Sequence, residues 1–364
     1  MKFGHRSASK EAIVRVTIYK LKFKSGFHLG DVGIGTESVR PTIPADTLFA
    51  ALLTAWNRLG KNPAHWANAF PRTRDGTTEN ADPPFLLTSA FPYAKGTLFF
   101  PKPLGITLPD IPEEDRKLWK KVKFVSERLF FRLAKGNKLI GVWPKSDEQK
   151  EEQLRQGGTL LVLPDEEVPE QIWKVDKVPH VTLDRLTSAS NLYSVGRVSF
   201  AEDSGLWFGI HWHNPESACG DEGAIADAFT RAFNELKASG LGGDRSAGQG
   251  AFEWKEMDKL MWDDPIPDTP AVLLSRYHPR YDEIPDVLRQ AHAYALETVG
   301  GWSASSSRQF RRRRVTFLTE GSVIFPTGNK VMGDLIDVAP AFLDVGHPVW
   351  RYGLAFAVPL GGGA

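Results

Sequence analysis

The stretch "GLGGDRSAGQGAF", Gly240 to Phe252, sets five glycines around one arginine and one serine. Directly before it runs "AIADAFTRAFNELKAS". There Ile225, Ala228, Phe229, Ala232, Phe233 and Leu236 fall at i, i+3, i+4, i+7, i+8 and i+11. That spacing predicts a helix with one apolar face, ended by Gly240. Directly after it, "AFEWKEM" reads as a strand. The glycine-rich stretch is therefore a helix-to-strand turn. A nucleotide P-loop needs the opposite order and a lysine, and this loop has none. A dinucleotide fingerprint fails on the same topology. A glycine cap and a tight turn account for one or two glycines, since each costs backbone entropy relative to Ala. The reading that uses all five is a backbone platform. Without Cβ atoms, a phosphate-bearing ligand reaches successive N–H groups, and Arg245 and Ser246 add further donors.

The rest of the chain bounds what such a platform serves. The 364 residues are 41% hydrophobic and 24% charged, enough for a real core in two or three domains of about 150 residues each. Net charge is +1, so any nucleic-acid surface is a local patch and not a globally basic body. One cysteine, Cys219, excludes an intramolecular disulfide and suits a reducing cytoplasm. No apolar run approaches the ~20 residues of a membrane helix, and the N-terminus has no signal-peptide pattern. A soluble cytoplasmic protein without membrane contact is expected.

Outward from the glycine loop, the elements fall into an order. "AIVRVTIYKLKF", Ala12 to Phe23, alternates as a half-buried strand. The Gly- and Pro-rich "KSGFHLGDVGIGTESVRPTIPAD" follows, and Asp46 reads as the N-cap of a helix. Leu48, Phe49, Leu52, Leu53, Trp56 and Leu59 share one face of that helix, and Gly60 stops it. Residues 61–96 read mostly as loop. "GTLFFPKPLG" is a short strand, and "EEDRKLWKKVKFVSERLFFRLAKG" reads as helical. Asn137–Lys177 is polar and gives no pattern. "VPHVTLDRLTSASNLYSVGRVSF" predicts a hairpin, and "GLWFGIHWH" a sheet strand. The resulting order, strand, helix, strand, strand, helix, strand, is the βαββαβ order of a ferredoxin-like or RRM-like α+β fold with large insertions. Pro265, Pro267 and Pro270 mark a linker. The expected domains are 1–264, carrying the glycine loop and the inserted hairpin, and 271–364, a reduced second ferredoxin-like unit.

A glycine-rich loop after the second helix of a ferredoxin-like fold resembles the hallmark of the RAMP superfamily of CRISPR RNA-binding proteins. The ordered set narrows the resemblance. "FHLGDVGIG" before "IPADTLFAAL", "LDRLTSASNLYSVGRVSF" before "LWFGIHWH", "LTEGSVI" and "HPVWRYGLAF" together resemble the Csm subunit four family, from about residue 12 to residue 360. Ala247 and Gln249 stand where that family commonly has a second serine and a hydrophobic residue. The resemblance implies a non-catalytic subunit of the type III-A (Csm) CRISPR effector complex, without cofactors. It implies that the chain holds the repeat-derived 5′ tag of the crRNA and docks the large polymerase-like subunit and the first backbone RAMP subunit.

The tag is single-stranded RNA, held by backbone donors, Arg or Lys, and stacking. The expected RNA contacts are Gly240, Gly242, Gly243, Arg245, Ser246, Gly248 and Gly250 in the loop, and Arg185, Asn191, Tyr193 and Arg197 on the hairpin. The bland alternative for the hairpin is a solvated ribbon. His28 is either a structural loop histidine or an RNA contact. It also carries the enzyme alternative, a metal-independent RAMP endoribonuclease with His28 transferring the proton, for which no Tyr, Ser or Lys partner is assignable. A third alternative is an interaction scaffold that uses the loop only to bring two subunits close. His211 and His213 share a strand face, but two imidazoles with only Cys219 or Asp221 as an unclear third ligand are a weak zinc set, and no metal is expected. The run Arg311–Arg314 faces either RNA or an acidic partner, or is simply solvated.

Overall fold

The computed structural model describes residues 13–30, 38–74, 77–79, 82–136, 139–183, 190–267, 269–289, 293–304, 309–327, 331–340 and 347–361. A nine-stranded mixed sheet forms its centre. Its leading elements are β1 (Ile13–Phe23), α1 (Ala45–Arg58), β2 (Phe91–Ala94), β3 (Ser204–Trp212), α2 (Ile225–Ser239) and β4 (Phe252–Asp263). In the sheet β4 lies beside β1, β1 beside β3, and β3 beside β2, all antiparallel. The two helices pack against each other. Phe229 and Phe233 of α2 meet Tyr19 of β1 and Phe208 of β3 in one aromatic cluster, with ring centroids 5.2–5.9 Å apart. Each such buried ring contributes about 1.5–3 kcal/mol. The residues that predicted the apolar face of α2 are all buried, and Gly240 closes the helix at φ +82°.

The structure departs from the sequence-based expectations where a long-range contact overrides a local signal. Asp46 does not cap α1; Pro44 occupies that position. Asp46 sits in the first turn, wholly buried, and holds Arg276 and Arg351 from the far end of the chain. Leu59 is 40% exposed rather than on the buried face. The helix expected over 113–136 is two helices, Arg116–Lys121 and Glu127–Ala134, split by the strand Phe124–Ser126, which pairs with Thr97–Pro101. Residues 61–96 hold a short helix and four strands, including Phe85–Leu87 on β3. The patternless Asn137–Lys177 region contributes the helix Asp147–Gln153, two short strands at the far edge of the sheet, and the first residues of the hairpin.

Beyond the proline linker, Ala271–Leu273 pairs with Val323–Ile324 and Ala357–Pro359 in a three-stranded sheet, with two-stranded pairs around it. Val272, Val323, Phe356 and Val358 join the core under the N-terminal sheet, so the two parts share apolar packing. No described helix is long and apolar enough to cross a membrane.

Candidate nucleic-acid interface

Three chain segments meet at the glycine-rich turn. The first is the run after β1. Phe23, Phe27 and Phe200 stack at 4.8–6.0 Å and anchor it. The second is a long ribbon, Trp173–Leu183 paired antiparallel with Ser190–Phe200. The third is the turn itself, from Gly240 to Ala251.

Residues 24–30 thread between the other two. Lys24 N–H donates to Ala251 O at 2.9 Å, Gly250 N–H to Gly26 O at 2.9 Å, and Gly243 N–H to His28 O at 2.7 Å. Ser25 Oγ donates to Gly248 O at 2.8 Å. On the other side, Phe27 and Val198 exchange two backbone bonds of 2.9 Å. His28 Nδ1 donates to Gly196 O at 2.7 Å, which leaves its Nε2 as the acceptor nitrogen of the neutral ring.

These crossings explain most of the glycines. A Cβ on Gly250 would lie 2.0 Å from Leu241 O, and one on Gly242 2.3 Å from His28 O, both at positive φ. Gly240 and Gly243 are closed off in the same way, by Gln249 O and by the His28 ring. The platform expectation therefore needs correcting on its reason: three of the five glycines make room for the chain's own backbone and a fourth, Gly243, for the His28 ring. Gly248, at φ +77°, faces open space.

The donors that remain lie at the tip. Asp244 takes a left-handed conformation, and Arg245–Ala247 form one 3₁₀ turn. The N–H groups of Asp244, Arg245 and Ser246 have no backbone partner among the described residues. Three successive N–H groups in such a turn form a small concave anion site. Arg245 and Ser246 are exposed beside it. Partial burial and the nearby charge of Arg58 hold the Arg245 guanidinium below its usual range. A bound anion would relieve that repulsion.

The ribbon overhangs this turn. His180 Nε2 lies 3.7 Å from Asp244 Oδ2, and the His180 ring sits 5.5 Å from that of Tyr193, its cross-strand partner. Tyr193 is 40% exposed. Arg197 lies four residues further along the same strand, on the same face. Its guanidinium is 3.5 Å from Asp176, and its stem crosses Gly26, where a Cβ would be 2.4 Å from Cγ. His28, Tyr193, Arg197 and the loop residues thus converge. Arg185 lies outside the described residues, and Asn191 is placed by its backbone alone, opposite Thr182. Sequence reasoning missed Ser25, Gly26, His180, Asp244 and Arg58. The "SG" before "FHLG" was the one available signal.

The pair of His211 on β3 and His213 just beyond its end is accounted for otherwise. His211 Nδ1 donates to Arg15 O at 2.9 Å, and His213 lies 3.1 Å from Asp82. Cys219 is buried, with its thiol pushed up to about 11. No group of three potential ligands occurs among the described residues.

Residues 268–360 match the CRISPR Csm4 C-terminal domain. The CRISPR system protein Csm4 of Thermococcus onnurineus (strain NA1) is 30% identical over 325 residues, 87% of this chain and 90% of that protein. The chain belongs to the Csm4 family. The Csm4 protein of Streptococcus thermophilus is 26% identical, over 92% of this chain and 96% of that one. The same fold occurs in a crystal structure of the Csm3–Csm4 subcomplex in the type III-A CRISPR-Cas interference complex, at TM-score 0.58 and 18% identity over 95% of this chain and 99% of that one. It occurs again in the Csm1–Csm4 cassette with cA4, at TM-score 0.52 and 21% identity over 95% and 98%. The RAMP-like fold expected for a Csm4 chain is thus present.

Proposed function

We propose that this chain is a non-catalytic crRNA-binding subunit of a type III-A Csm interference complex, holding the 5′ repeat-derived tag. The observation that carries this reading is the tip of the glycine turn. Three adjacent N–H groups with no partner among the described residues and Arg245 sit under a ribbon that carries Tyr193 and Arg197. Fixed backbone donors suit phosphates, and an exposed aromatic ring suits a splayed base. In this reading the large polymerase-like subunit and a backbone RAMP subunit dock on the chain, as Csm1 and Csm3 accompany Csm4 in the solved relatives. Its N-terminal part is one ferredoxin-like unit, supported by the strand order β4–β1–β3–β2 with α1 and α2 between strands, and the C-terminal part is a reduced second unit.

The test is RNA retention. Co-expression with the rest of its locus should yield protein carrying RNA with a constant 5′ end. Ser246→Pro removes one unpaired donor and takes no backbone hydrogen bond from the fold. It should lower affinity for the tag RNA on the order of tenfold, the worth of one hydrogen bond to a charged group. Normal retention by a folded Ser246→Pro protein would overturn the assignment of this turn.

A further inference from the structure

The arginine run lines a second opening. A cleft of about 770 Å³ lies between the segment after His28, the start of α1, and the strands Leu296–Val299 and Gln309–Arg311. Arg40, Arg276, Arg311, Arg312, Arg314 and Arg351 line it, and among the described residues Glu297 is the one acid on its wall. Three of these arginines are held. Arg276 and Arg351 converge on buried Asp46. Arg276 and Arg40 clamp Glu297 at 2.5 and 2.8 Å.

The other three have no carboxylate partner among the described residues. Arg311 lies over the Trp302 ring, 5.1 Å from its centroid, and Trp302 is 60% exposed. Arg312 donates to Gly300 O at 3.3 Å, and its Nε is buried without a partner. Arg314 runs along Gly300, whose Cβ position is 3.4 Å from its Cγ. Burial, with the charge of Arg351 second, pushes the Arg312 guanidinium down to about 10. Unpaired cations crowded in a cleft are a site short of an anion. An indole under a guanidinium adds a flat surface of the kind on which bases stack. The cleft also adjoins the first site, since Leu29 and Gly30 on its wall directly follow His28, which is bonded to Gly243.

We propose that this cleft takes the continuation of the single-stranded RNA held at the glycine turn, with one base on the Trp302–Arg311 surface and the flanking phosphates on Arg312 and Arg314. The proposal rests on the RNA-binding reading above. An acidic polypeptide would satisfy the arginines but would leave the exposed indole and the continuity with His28 unused.

The test measures affinity of the full chain for the whole tag RNA and for tags shortened by two nucleotides at the 5′ or the 3′ end. Trp302→Ala and Arg314→Ala should each weaken whole-tag binding on the order of tenfold. Arg314→Ala should lower the salt slope by about one. Against one of the two shortened RNAs both variants should match the wild type. Wild-type affinity in both variants, with melting unchanged, overturns the cleft and leaves the glycine-turn reading standing. Failure of the wild-type protein to bind any tag removes both. Equal weakening for a free dinucleotide and for every RNA length makes the cleft a separate nucleotide site and overturns the continuity. Loss of a partner subunit with RNA affinity intact overturns the ligand class.

Discussion

Gly243 donates its backbone N–H to the carbonyl of His28 at 2.7 Å, while the imidazole of the same histidine donates to Gly196. One residue thereby ties the glycine turn to the ribbon. The turn's exposed tip and the ribbon's inner face are held in one place by a segment that is neither of them.

The glycines divide by what they face. Gly242→Val drives a branched side chain against His28 O at a positive φ, and should lower stability by more than about 3 kcal/mol or prevent folding. Gly248→Ala meets no atom within 4 Å and should cost only the left-handed backbone penalty, about 1–2 kcal/mol. Urea unfolding of the two variants checks the order, and a well-folded Gly242→Val protein would contradict it.

Arg197 combines packing with charge, so its removal should show in both readouts. Arg197→Ala strips the stem from Gly26 and the partner from Asp176, and should destabilise the chain by about 1 kcal/mol as well as weaken tag binding severalfold. Melting and RNA affinity measured on one preparation separate the effects. Loss of stability alone would make the arginine purely structural.

Asp46 joins the first helix to the far end of the chain. Asp46→Asn leaves buried Arg276 with Glu297 alone and takes from buried Arg351 its one carboxylate partner among the described residues, which should cost about 3–5 kcal/mol. Asp46→Asn should also loosen the cleft beside it. Denaturant unfolding monitored by tryptophan fluorescence reports the loss, and a change under 1 kcal/mol would mean that the network relaxes without this anion.

Lys102 sets a pH dependence. Its ammonium lies 4.1 Å from the Trp119 ring centroid and donates to Trp119 O, and burial pushes its pKa down to about 8. An unfolded lysine titrates near 10.4, so the unfolded chain binds the extra proton between those values. Relative to Lys102→Met, the wild-type protein should therefore gain stability as pH rises from 7.5 to 9.5. Parallel stability curves for the two proteins would show the lysine to be solvated.

His28 tests the absence of catalysis. No Tyr, Ser or Lys partner is assignable to His28 from the sequence, so the chain should cleave no repeat RNA, with or without metal. Site-specific cleavage that vanishes in His28→Ala would promote the endoribonuclease reading.

The sequence by itself determined the elements whose signal is local. The 3.6-residue spacing of Ile225 through Leu236 marks α2, the alternation in Ala12–Phe23 marks β1, and the glycines mark a turn between helix and strand. Each follows from side chains a few residues apart. Tertiary structure alone decided what those elements face. Nothing near Gly242 in the chain says that the atom excluding its Cβ belongs to His28, more than 200 residues away. Nothing near Asp46 distinguishes a helix cap from a buried anion between Arg276 and Arg351. The Phe124–Ser126 strand inside a helical-looking run is fixed by pairing with Thr97–Pro101. Arg311–Arg314 reads equally as a face for RNA, for an acidic partner or for solvent until Trp302, Gly300 and Arg351 are folded against it. Local propensity is worth tenths of a kcal/mol per residue, whereas leaving one partner of a buried ion pair unmatched costs several. Where the two disagree, the distant partner sets the structure.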